Sequence, residues 1–259
     1  MSRRTPGASP TPSGDDAGPG SSLSLTILGC DGSWVGPGGA GSSYLVRTPQ
    51  SALVLDCGPG SFAQLQLAIE PAAVTAVVLS HHHPDHWTDL HALVTHARLV
   101  LEREVDVYAP SELPDRTGLV HEKSLRWHAV TGGDVVQIGD ATCSFRRTEH
   151  VAETLAVRLE AAGRVLGYSA DSGPGWPLGE LGGDLDLVLC EATYLAKNEG
   201  TADHMSGRQA GSQARAAGAG RVMVTHRWPT VAASALASEA TAAFGRPVEQ
   251  AVMGRTVVV

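Results

Sequence analysis

The sequence predicts a four-layer α/β/β/α sandwich, and three observations point there. Short β-branched runs alternate with amphipathic stretches from residue 23 onward. The same order of strands and helices occurs twice, once on either side of about residue 130. A dense histidine cluster, 79-LSHHHPDHWTDL-90, stands directly behind an apolar run. Two strand-rich halves, each covered by helices, make two sheets with helices outside them.

In the first half, strands are expected at 23-LSLTILG-29, 43-SYLVR-47, 52-ALVLDCG-58, 74-VTAVVLS-80 and 105-VDVYAP-110. A helix is expected over 61–70, where Phe62, Leu65 and Ile69 share one face. A second is expected over 88–104, through Leu90, Leu93, Val94, Ala97 and Leu101, with Thr88 as its cap. The segment 111–130 has two readings: a lid that turns Trp127 and His128 toward a substrate base, or a surface loop with a buried tryptophan. In the second half, strands are expected over 134–138, 141–150, 154–160, 163–171, 185–193 and 221–226, and helices over 207–219 and 231–244. Gly139-Asp140 and 161-AAG-163 mark hairpins. The Ala- and Gly-rich stretch 207–219 suits close packing on a sheet.

The chain has 259 residues and a net charge of −8. That length buries a sizeable core, and the acidic balance excludes a broad phosphate-binding field. Residues 1–22, rich in Gly, Pro and Ser, are expected to be a disordered tail, leaving 23–259 as one domain. No run approaches the roughly eighteen apolar residues of a membrane span, so a cytoplasmic protein is expected. Cys30, Cys57, Cys143 and Cys190 lack metal spacing and read as free thiols of a reducing compartment.

The chemistry concentrates in His81, His83, Asp85 and His86, an H-x-H-x-D-H pattern. On a near-extended chain, residues two apart point the same way, so His81 and His83 can converge on one cation while His82 faces elsewhere. After Pro84 turns the chain, Asp85 and His86 can serve a second cation. Three further candidates close strands: His150, Asp171 and His226.

This pattern resembles the metallo-β-lactamase superfamily, whose members hold one or two metals at the edge of an αββα sandwich. The resemblance implies that His81, His83 and His150 hold one metal, that Asp85, His86 and His226 hold another, and that Asp171 bridges them. The ions would be two divalent cations, zinc first, with manganese or iron sharing the same ligand types. Two such ions about 3.5 to 4 Å apart can hold a bridging hydroxide at neutral pH.

The stretches 25-LTILGCDGSWVGPGGAGSSYLV-46, 53-LVLDCGPGS-61, 189-CEATY-193 and 204–226 resemble the ribonuclease Z branch of phosphodiesterases. They look closest to its short actinobacterial relatives, which are associated with cyclic-nucleotide hydrolysis. That resemblance implies His204 as the group assisting the leaving oxygen, Glu191 as its support, and Asp85 as a general base. Homodimerisation is implied by resemblance as well. Only 21 positions separate His150 from Asp171. The long arm of tRNA-binding ribonuclease Z enzymes does not fit there, so a small phosphodiester such as a 3′,5′-cyclic nucleotide is expected ahead of RNA. Rival readings keep the site for RNA 3′-end cleavage, for thioester or lactone hydrolysis, or as a non-catalytic scaffold.

Gly36, Gly38 and Gly41 match G-x-G-x-x-G in form, but a strand-like run follows instead of a helix, which fails the dinucleotide test. Close approach to a ligand phosphate and simple flexibility both stay open for this loop. Trp87 and Trp228 flank ligand histidines as walls or as hydrophobic support. His91, His96 and His121 read as surface or packing residues.

Overall fold

The computed structural model describes residues 22–259. The tail expected over 1–22 lies, except for Ser22, outside the described residues. The first sheet contains β1 (Ser24–Gly29), β2 (Ser43–Arg47), β3 (Ala52–Leu55), β4 (Ala76–Val78), β5 (Val105–Ala109) and β6 (Leu125–Ala129), side by side in chain order. The final strand, β14 (Thr256–Val258), returns to pair with β1. The second sheet contains β7 (Val135–Ile138), β8 (Ala141–Arg147), β9 (Leu155–Ala161), β10 (Arg164–Tyr168), β11 (Leu187–Glu191), β12 (Arg221–Thr225) and β13 (Glu249–Gln250).

Each sheet changes character partway across. Strands β1 to β3 and β7 to β10 run antiparallel to their neighbours, whereas β3 to β6 and β10 to β13 run parallel. Parallel neighbours need crossovers. These carry α1 (Ser61–Ala68), α2 (Leu90–His96) and α3 (Leu113–Thr117) on one side, and α4 (Gly207–Ala216) and α5 (Ala233–Phe244) on the other.

Strand alternation explains the layering. Leu53 and Leu55 of β3 enter the core between the sheets, together with Phe145, Val157, Leu189 and Met223. Val54, between them, joins a second core under α1 and α2. Val188 and Val222 similarly face a third core under α4 and α5. Both faces of the central strands are therefore apolar, as their unbroken hydrophobic runs require. At the α4–α5 crossing, a Cβ on Gly211 would lie 2.3 Å from the Ala240 carbonyl oxygen, so only glycine permits that approach.

The hairpin between β9 and β10 turns on Ala162 and Gly163, both in the left-handed region at φ 51° and 69°. This is the backbone that a two-residue loop prefers, and no arm is inserted there. Expected and observed elements differ at three places. The helix expected over 88–104 ends as α2 at His96 and continues as one π turn over Ala97–Leu101. Thr88 does not cap it: its hydroxyl donates to the Pro84 carbonyl at 2.8 Å. Asp89 precedes the helix, and its carboxylate accepts from Phe62 N of α1 instead.

The third difference is 111–130, which forms α3 and the edge strand β6. Trp127 packs against the core under α1 and α2, and its indole donates to the Leu119 carbonyl at 3.3 Å. His128 stacks on Tyr108 and lies 2.7 Å from Asp106. The segment is no lid, because parallel pairing with β5 holds it in the sheet.

Candidate metal centre

The candidate residues come from both sheets and meet where parallel strands end. This is where open α/β sheets form ligand crevices. His81, His83, Asp85 and His86 follow β4; Asp171 follows β10; Glu191 ends β11; His226 follows β12. The turns at these ends are unusual backbone. Asp56, Ala170 and His226 have φ of 56°, 50° and 54°, and Ser33 has φ 63°. A non-glycine residue in this region costs on the order of 1–3 kcal/mol, and its concentration here marks a site that the surrounding fold over-determines.

Asp171 lies between two groups of side chains. Its Oδ2 is 3.5 Å from His81 Nε2 and 3.8 Å from His150 Nε2. Its Oδ1 is 3.2 Å from His86 Nε2 and 3.3 Å from His226 Nε2. His83 Nδ1 lies 3.2 Å from His150 Nε2. Asp85 Oδ2 is 3.2 Å from His226 and 3.5 Å from His86. The imidazoles of residues 150 and 226 therefore reach the 81–86 cluster from strands far away in sequence.

Two groups able to hold a metal ion result: His81, His83, His150 and Asp171, and Asp85, His86 and His226. Asp171, His204 and His226 form a third, overlapping combination. The buried atoms His81 Nε2, His86 Nε2 and Asp171 Oδ1 make no hydrogen bond. His86 Nε2 and Asp171 Oδ1 lie 3.2 Å apart without hydrogen-bond geometry. An unpaired buried polar atom costs about 1–3 kcal/mol, so atoms left without a partner in both groups, His81 Nε2 and Asp171 Oδ1 in one and His86 Nε2 in the other, fit cations as their missing partners.

The electrostatics divide along the same line. Burial pushes His81 well below its usual pKa, helped by the neighbouring His86. Burial and His150 bring His83 down to about 4, and burial also lowers His150. These three are thus held neutral, the form that ligates metal. For His86, burial works downward but the carboxylates of Asp171, Asp85 and Asp56 outweigh it and raise the imidazole well above its usual range. Burial would raise Asp171 and Asp85. His226, His86 and His81 overcome it for Asp171, and His86 and His226 do so for Asp85, leaving both held low.

A second layer fixes these rings. Asp56, fully buried, accepts from Ser80 N at 2.7 Å, Ser80 Oγ at 2.8 Å and Tyr168 OH at 2.6 Å. Its Oδ2 also lies 2.7 Å from His86 Nδ1, which turns Nε2 into the centre. Ser80 Oγ meets His81 Nδ1 at 3.0 Å, and Thr193 Oγ1 meets His226 Nδ1 at 3.0 Å. Ser33 N donates to Asp85 Oδ2 at 2.7 Å. Asp56, Tyr168, Thr193 and Ser33 were not singled out from sequence. Asp56 had one signal, a carboxylate ending an otherwise apolar strand, but its partners lie up to 112 positions away.

His204 and Glu191 stand beside both groups. His204 Nδ1 is 2.9 Å from Glu191 Oε1 and 4.0 Å from Asp171 Oδ2. Glu191, wholly buried, also accepts from Ser172 N, Met205 N and Thr193 Oγ1 at 2.8 to 3.1 Å. Burial alone would lower His204, but Glu191 and then Asp171 outweigh it and lift the imidazole to about 9.

The remaining candidates fall outside. His82 turns away to Glu112 at 2.7 Å. His91 and His121 are exposed, and His96 packs on Phe62. Trp87 is buried in the core beneath the cluster, and its indole donates to the His82 carbonyl. In the glycine loop, a Cβ on Gly41 would lie 2.6 Å from Pro59 and 2.7 Å from the Asp85 carbonyl oxygen. Close chain packing accounts for that glycine.

A two-sheet sandwich with His and Asp groups able to hold metal ions is a metallo-hydrolase of the metallo-β-lactamase fold. The chain belongs to the β-lactamase superfamily domain family, whose sequence pattern matches residues 52–227. The uncharacterized protein Rv1339 of Mycobacterium tuberculosis is 34% identical over 251 residues, covering 91% of this chain and 92% of that one. The crystal structure of the metallo-β-lactamase fold protein YhfI from Bacillus subtilis superposes with a TM-score of 0.87 at 25% identity, over 92% of this chain and 100% of that one. A ribonuclease Z from Methanopyrus kandleri is 29% identical over 140 residues, 53% of this chain and 50% of that one. No helix among the described residues is long and apolar enough to cross a membrane.

Proposed function

We propose that this chain is a metal-dependent phosphodiesterase acting on a small phosphodiester, with a 3′,5′-cyclic nucleotide as the substrate class. The observation that carries this reading is the contact of His204 with the buried Glu191, 4.0 Å from the shared Asp171. Hydrolysis of a phosphodiester expels an alkoxide, and an imidazolium beside the reacting phosphorus supplies the proton that this departure needs.

In this reading His81, His83 and His150 hold one divalent ion, Asp85, His86 and His226 hold a second, and Asp171 serves both. Imidazole and carboxylate ligands without thiolate suit zinc, and manganese or iron accept the same set. Bound ions would supply Lewis-acid stabilisation of the phosphoryl oxygens and an activated water at neutral pH. Asp85, oriented by Ser33 N, accepts a proton from the attacking water. His204 delivers a proton from Nε2 to the leaving oxygen, while Glu191 at Nδ1 keeps the ring charged. Glu191 is a positioning residue, since it touches only His204 and the backbone and hydroxyl groups around it.

The likeness to a ribonuclease favours phosphodiester chemistry, and it also supports RNA cleavage as a second reading. The two-residue β9–β10 turn and the net charge of −8 weigh against a long RNA substrate. Residues 23–259 are read as one catalytic domain, able to pair as a homodimer. The free cysteines support a reducing compartment such as the cytoplasm.

The test is a zinc-replete activity screen over cyclic AMP, bis-p-nitrophenyl phosphate, a thioester and precursor tRNA, with Asp85→Ala as control. The reading expects turnover of the first two, lost in the variant. Faster cleavage of precursor tRNA, or turnover of the thioester alone, would replace it.

A further inference from the structure

One flank of the centre carries two tryptophans, Trp34 and Trp228, that have no part in the chemistry above. Trp34 is 45% exposed, the only tryptophan among the large exposed side chains of the described residues. Its ring lies 5.7 Å from that of Trp228, centroid to centroid, and Trp228 lies 5.6 Å from the buried Tyr194. The Trp228 indole N–H donates to Ser33 Oγ at 3.0 Å, and Ser33 N donates to Asp85 Oδ2 at 2.7 Å. The exposed indole is thus one residue from a backbone N–H bonded to the Asp85 carboxylate.

The loop that carries Trp34 is tied down. Asp31 is buried, accepts from Gly36 N at 2.9 Å and lies 3.6 Å from the Arg227 guanidinium. Trp34 N donates to the Gly32 carbonyl at 2.8 Å. An indole left 45% exposed, one residue from the N–H that holds Asp85 and on a loop held at both sides, is suited to stack on a flat ring. The opposite flank differs. There a cleft of about 380 Å³ is lined by His150 together with Glu149, Val151, Pro174 and Asp203, and holds no indole, phenol or phenyl ring.

We propose that Trp34, backed by Trp228, stacks on the nucleobase of a nucleotide whose phosphate lies between Asp85 and His204, and so determines specificity for base-bearing phosphodiesters. This rests on the phosphodiesterase reading and narrows it. Purines, with the larger π surface, are preferred over pyrimidines, and both over a cyclic ribose phosphate without a base.

Two measurements on the zinc-loaded protein test it. The first compares kcat/KM for cyclic AMP with that for a base-less ribose 3′,5′-cyclic phosphate in wild type, Trp34→Ala and Trp34→Phe. The preference for cyclic AMP should fall roughly 10- to 100-fold in the alanine variant and largely survive in the phenylalanine variant. The second compares binding of AMP and ribose 5-phosphate by calorimetry, which needs no turnover. An equal preference for AMP in wild type and Trp34→Ala overturns the stacking proposal even if cyclic nucleotides are hydrolysed. A stacking preference that Trp34→Ala removes, in a protein that hydrolyses no cyclic nucleotide, upholds the stacking and sinks the phosphodiesterase reading instead.

Discussion

His204 Nδ1 and Glu191 Oε1 are 2.9 Å apart, and the carboxylate has no exposed surface. A buried carboxylate bonded to one nitrogen of a ring keeps the other nitrogen protonated and free to donate. The raised pKa of about 9 means that the proton is present across neutral pH and is lost as pH rises through that value.

The pH profile of kcat on cyclic AMP should therefore fall on its alkaline side. In Glu191→Gln the ring loses the charge that raised it, so the alkaline limb moves to lower pH. His204→Ala should reduce kcat by about 10²- to 10⁴-fold on an alkoxide leaving group. It should reduce it far less on p-nitrophenyl esters, whose leaving group needs no proton. An equal loss on both would assign His204 to a structural role.

Asp56→Asn leaves the packing but removes the charge beside His86 Nδ1. Loss of such an outer partner commonly weakens metal affinity by about 10- to 100-fold. Competition with a zinc chelator should show that loss while far-UV circular dichroism stays native.

Much of this was legible in sequence and some was not. H-x-H-x-D-H behind an apolar run announced the cluster because strand geometry sets which side chains agree in direction over two residues. His150, Asp171 and His226 could be nominated as strand ends. Their convergence, however, depends on pairing between sheets, which local periodicity does not encode. Asp56 illustrates the limit: its contacts to His86 and Tyr168 span 30 and 112 positions. Strand β6 was missed because it lies at a sheet edge, where Arg126 and Ala129 are exposed and the apolar signal is diluted.

Gly211→Ala separates folding from chemistry. Its Cβ would meet the Ala240 carbonyl oxygen at 2.3 Å, forcing α4 and α5 apart. Thermal or denaturant unfolding should show about 1–3 kcal/mol of destabilisation, with zinc stoichiometry of the folded fraction unaltered.

The free thiols give a further check. Burial pushes Cys30 up to about 11 and Cys57 and Cys143 up to about 12. Mass spectrometry after iodoacetamide at neutral pH should find these thiols unmodified in the native protein and alkylated after denaturation.

In the proposed centre Asp171 joins two cation sites, one at His81, His83 and His150 and the other at Asp85, His86 and His226. Anomalous scattering from a zinc-replete crystal tests it most directly. Two peaks are expected, one on each side of the Asp171 carboxylate, within bonding distance of the named side chains. A single peak, or zinc bound away from Asp171, would contradict it.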